Sequence, residues 1–83
     1  MFEKVIDFII AERTLQDERF GDINKSNTAK DWLPILGEEF GEVNTAILNN
    51  DKDNLKEELI QVAAVAIQWL ERIFEEENIN TRS

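Results

Sequence analysis

Two short stretches carry the residue types from which a carboxylate metal site can be built: Glu38, Glu39 and Glu42 in EEFGEV, and Glu58 with Gln61 in EELIQ. Hard oxygen ligands of this kind suit Mg²⁺ or Mn²⁺, ions that retain part of their water shell and bind phosphates. Other routes to hydrolysis are closed, because the chain contains neither cysteine nor histidine. Thiol nucleophiles, imidazole bases, Ser-His systems, disulfides and cysteine-ligated zinc are therefore excluded, and any hydrolytic step must run on carboxylates.

The spacing decides which glutamates can meet. At about 100° per residue, Trp32, Leu33, Ile35, Leu36, Phe40, Val43, Ala46 and Ile47 form one apolar arc of a helix. Glu39 falls near the middle of that arc and Glu42 at its edge, whereas Glu38 points outward. Burying a charge without compensation is too costly to be incidental, so the inward pair demands partners. On the following helix Glu58 projects on the side of Val65 and Trp69, with Gln61 one turn on. An antiparallel hairpin brings Glu39, Glu42, Glu58 and Gln61 to similar heights.

A third polar group interrupts an apolar stripe. Phe2, Val5, Ile6, Ile9 and Ile10 continue into Arg13, Gln16 and Asp17, flanked by Glu12, before Phe20 resumes the pattern. These groups either line the same cavity as the glutamates and address a ligand, or form a salt-bridged layer that fixes helix register. For Glu39 alone, pairing with Arg13 is the competing structural reading. Trp32 and Trp69 read as core residues, and Glu75 to Glu77 as a solvated helix end.

Positioning these groups requires three helices and no strands, an all-α fold in a single domain spanning residues 1–83. The first helix is expected over about 2–20, stopping at Gly21. The second is expected over 31–48, with Asp31 as N-cap and Pro34 in the first turn. The third is expected over 53–76, capped by Asp53 and followed by a frayed tail at 78–83. On the third helix Leu59, Ile60, Val62, Ala63, Val65, Ala66, Ile67, Trp69 and Leu70 point in nearly every direction, as in a helix buried on most sides. A chain of 83 residues cannot cover such a helix by itself, so the expected particle is a homodimer or higher homo-oligomer.

Eighteen acidic residues against nine basic ones give a formal net charge of -9. That field repels nucleic-acid backbones and anionic membranes, so neither is expected as a partner, and an anionic ligand needs metal ions. The segment MFEKVIDFIIAER carries acidic residues among its apolar ones and no small-residue cleavage site, so it reads as neither signal nor transit peptide. The nearly apolar run from Leu59 to Leu70 contains two glutamines and falls short of the roughly 20 residues that span a bilayer. The expected location is cytoplasmic.

EEFGEV, followed by EELIQVAAVAIQWLE from Glu57 to Glu71, resembles the MazG-like all-α nucleoside triphosphate pyrophosphohydrolases. ERTLQDERFG, from Glu12 to Gly21, and a tryptophan opening the next helix at Trp32 are similar to a small MazG-like subgroup common in phages and bacterial mobile elements. The family carries an ExxE pair on one helix and an ExxD pair on the next. Glu39 and Glu42 match the first pair, Glu58 opens the second, and Gln61 stands at the aspartate position, where glutamine is frequent in the subgroup.

The resemblance implies a helical bundle completed by dimerisation, with Mg²⁺ (or Mn²⁺) held by Glu39, Glu42 and Glu58. It implies Glu38 as the residue that orients or deprotonates water, Gln61 beside the metal or its waters, and Arg13, Gln16, Asp17 and Trp32 on the nucleotide. The implied reaction converts an NTP or dNTP to the monophosphate and pyrophosphate. A neutral amide at position 61 supplies one fewer charge and cannot act as a base, so a silent nucleotide-binding or sequestering protein of the same fold stands as the alternative.

Overall fold

The structure is a computed structural model that describes residues 1–82, apart from the side chains of Asp22, Ile23 and residues 79–82. It is all-helical, with α1 at Phe2–Asn24, α2 at Ala29–Leu48 and α3 at Lys52–Arg82. No helix among the described residues is long and apolar enough to cross a membrane.

α1 does not stop at Gly21. A glycine ends a helix when it adopts the left-handed conformation, and no glycine here has positive φ. Gly21 therefore acts only as a weak helix former, and the helix continues to Asn24. Asn27 then folds back, its backbone N–H and its side-chain amide both donating to Asn24, at 3.2 and 3.1 Å.

α2 starts earlier than Asp31, because Thr28 is the N-cap and Asp31 occupies the third helical position. The Thr28 N–H donates to the Asp31 carboxylate at 2.8 Å, satisfying the cap backbone from inside the helix. Pro34 consequently lies within the helix rather than in its first turn. Its missing N–H leaves only the carbonyl of Lys30 without an intrahelical donor.

The α2–α3 turn is a Schellman motif in which asparagine does the work of glycine. Asn50 adopts φ 53°, its N–H donates to the Ile47 carbonyl, and the Asp51 N–H donates to the Ala46 carbonyl. Asp51, not Asp53, then caps α3 by accepting from the Asn54 N–H at 3.1 Å. Closing one helix and opening the next within three residues fixes the hairpin register. The expected tail at 78–83 is helical as far as Arg82; Ser83 lies outside the described residues.

α3 is the central element, packed against α1 and against α2, while among the described residues α1 and α2 do not pack on each other. Trp32, Ala46, Ala64 and Val65 are buried, and Trp32 stacks on Trp69 with ring centroids 6.5 Å apart. The apolar arc of α2 is wider than α3 can cover, so Leu33, Phe40 and Ile47 remain exposed. Leu59, Ile67, Leu70 and Phe74 of α3 are likewise exposed. Two flanking helices cover two sides of α3 and leave the rest of its apolar surface open.

Candidate functional site

The hairpin brings together the three glutamates that the spacing selected. Glu39, Glu42 and Glu58 each place a carboxylate oxygen within 4.8 Å of the others. Glu39 and Glu42 share a face of α2 as an i, i+3 pair, and the turn at residues 49–51 sets Glu58 opposite them. Glu38 is exposed on the adjoining face of α2.

Among the described residues no lysine or arginine forms an ion pair with these carboxylates. Glu39 Oε2 and Glu58 Oε2 are both buried and receive no hydrogen bond from the described residues. The Glu58 carboxyl is pushed up to about 7, first because its protonated form can donate to Glu42, then by burial and by the charges of Glu42 and Glu39. Glu39 is also raised, by burial first and then by repulsion from Glu42, although its contact with Glu58 pulls the other way. Acidic groups this close share protons or share a cation. Their span admits one Mg²⁺ or Mn²⁺ after small side-chain rotations or through intervening water, and their all-oxygen donor set is the kind such ions take.

Beside the triad a cleft of about 170 Å³ opens between α1 and α2 over α3. Glu39 and Gln61 line it, joined by Glu12, Gln16 and Gln68. Gln16 donates through Nε2 to Gln61 Oε1 at 3.2 Å, which ties α1 to the second motif. Gln61 thus sits beside the carboxylates as a neutral group whose carbonyl is already engaged.

Other expected ligand-binding residues lie elsewhere. Arg13 is buried and forms ion pairs with Glu71 at 2.8 Å and with Asp17 at 3.0 Å, clamping α1 to α3. Glu39 has no such partner among the described residues, and the Arg13–Glu39 pairing considered above does not form. Trp32 is 1% exposed and belongs to the core stack, as its structural reading held. Arg13, Asp17 and Trp32 do not line the cleft.

Arg19, Phe20 and Asn24 line it instead. Their signal was present in the helical repeat of Glu12, Gln16, Arg19 and Phe20, but ending α1 at Gly21 removed the turn that carries Asn24. Arg19 supplies the single cation among the described lining residues. Comparison with known protein families, with curated proteins and with solved structures gave no match to this chain.

Proposed function

We propose that this chain is a metal-dependent nucleoside triphosphate pyrophosphohydrolase of MazG-like type. The observation that supports it best is the meeting of Glu39, Glu42 and Glu58 from two helices at the edge of a cleft large enough for part of a nucleotide. The resemblance of EEFGEV and EELIQ to the family's two motifs points the same way.

In this reading Glu39, Glu42 and Glu58 hold Mg²⁺, or Mn²⁺, which when bound screens triphosphate charge and lowers the pKa of an attacking water. Glu38, exposed beside Glu39, orients that water or takes its proton. Arg19 offsets part of the remaining phosphate charge. Water oxygen bonds to the α-phosphorus, the bond from that phosphorus to the bridging oxygen breaks, and pyrophosphate leaves with the bridging oxygen. Gln61 acts through hydrogen bonding and not as a base, because an amide has no proton-accepting role at neutral pH.

Gln61 also supports a second reading, capture of a nucleotide without turnover. Incubating the protein with NTPs and dNTPs plus Mg²⁺ or Mn²⁺, while following both binding and pyrophosphate release, separates the two. Turnover in the wild type is the expected result. Binding without release, with release created by Gln61→Asp, would make the protein a sequestering relative.

The same proposal includes a homodimer in the cytoplasm. Exposed Leu59, Leu70 and Phe74 on α3, with Phe2 and Phe8 on α1, leave more apolar surface open than a stable monomer ordinarily carries. Light scattering is expected to give at least twice the 9.7 kDa chain mass at micromolar concentration; a monomer at that concentration would remove the dimer.

A further inference from the structure

The cleft beside the glutamates is also lined by buried carboxamides that lack hydrogen-bond partners. Gln68 is 2% exposed and Gln16 7% exposed, and both side chains line the cleft. Gln68 Nε2 and Gln16 Oε1 are buried and have no hydrogen-bond partner among the described residues. Gln16 Nε2 is already committed to Gln61, which leaves its oxygen as the free group. Leu15, Phe20, Ile35 and Val65 supply the apolar walls around these amides.

Buried polar groups in proteins are ordinarily paired, and two orphaned carboxamide groups lining one small cleft mark a place where a ligand completes the pairing. The ligand chemistry follows from the groups. Neither amide is charged, and Arg19 shares the lining with two carboxylates, Glu12 and Glu39, so the groups that lack partners call for hydrogen bonds rather than for a charge. A flat, neutral ring with a hydrogen-bond donor beside an acceptor fits, one edge meeting Gln16 Oε1 and Gln68 Nε2. Turning Gln16 and Gln68 together by about 180°, with Gln61 following to keep its bond to Gln16, reverses the order of donor and acceptor, so either order on the ring is accommodated. Phe20, half exposed, adds an aromatic face for stacking.

The volume sets the division of labour. At about 170 Å³ the cleft is smaller than the roughly 300–1,000 Å³ pockets that enclose drug-sized ligands. It holds a ring and leaves sugar and phosphates outside, toward Glu42 and Glu58, which do not line it. Resting on the metal and nucleotide reading of the triad, we propose that Gln16 and Gln68 form a base-reading subsite which binds the nucleobase through its donor–acceptor edge.

The test compares three ligands in the presence of Mn²⁺: inorganic tripolyphosphate, ribose 5-triphosphate without a base, and the common nucleoside triphosphates. At least one nucleoside triphosphate should bind about tenfold or more tightly than ribose 5-triphosphate. Gln68→Leu should erase that advantage while leaving tripolyphosphate affinity within about twofold. Phe20→Ala, at a partly exposed position that the core does not depend on, should reduce the advantage by about tenfold. If ribose 5-triphosphate binds as well as every nucleotide, or the variants keep the full advantage, the subsite is overturned and the triad reading stands. If no phosphate ligand binds with metal present, both fall.

Discussion

Glu58→Gln should lower pyrophosphate release by about a hundredfold or more and, in the absence of metal, make the protein more stable at pH 8. Both effects come from one carboxyl group. On the proposed reading, removing it takes away a metal ligand, so charge stabilisation and the activated water would be lost together. Removing it also relieves a site in which Glu39, Glu42 and Glu58 lie within 4.8 Å of one another.

The pH dependence carries a definite sign. Glu58 is raised from 4.5 to about 7 in the folded chain, so the folded state binds more protons than the unfolded state between those values. Its contribution to stability is fully present below 4.5 and is lost as pH rises through about 7. Metal-free wild type should therefore lose Tm between pH 5 and pH 8, and Glu58→Gln should flatten that decline. Mg²⁺ or Mn²⁺ at pH 8 should restore Tm in the wild type and do much less in the variant. Thermal melts with chelator and with metal read all of this. An unchanged metal response together with unchanged turnover in Glu58→Gln would leave the glutamates with a structural role only.

Trp32→Ala should cost about 3–5 kcal/mol, a large part of the roughly 4–12 kcal/mol expected of a domain this size. Trp32 is 1% exposed and stacks on Trp69 across the α2–α3 hairpin, so truncation opens a cavity at the centre of a small core and ends the stack. Trp32→Phe should retain most of the stability, because the indole Nε1 has no hydrogen-bond partner among the described residues to lose. Urea denaturation measures both variants. If Trp32→Ala keeps its denaturation midpoint and loses nucleotide binding instead, Trp32 contacts the ligand rather than the core.

Much of the site was legible because it depends on local geometry. The spacing of Glu39 and Glu42 within one helix fixes their common face whatever surrounds them, and the short link between α2 and α3 allows only an antiparallel hairpin. The helix ends were harder to read. Thr28, Asp31, Asp51 and Asp53 are all competent caps by residue type, and backbone hydrogen bonding chose Thr28 and Asp51. Gly21 could end α1 or continue it, and it continues in the ordinary right-handed conformation.

The sequence by itself determined three helices, a set of glutamates that meet across the α2–α3 hairpin although Glu42 is exposed and not inward as its position in the apolar arc suggested, the exclusion of thiol and imidazole chemistry, and an α3 with more apolar surface than two neighbours can cover. Only the tertiary structure decided what the polar stripe of α1 does. Arg13 and Gln16 are three residues apart on one helix, yet Arg13 reaches Glu71 while Gln16 reaches Gln61. Periodicity places side chains around a single axis. Which distant residues they meet depends on how two axes lie against each other and how far long side chains extend, and that is settled by packing across the whole chain.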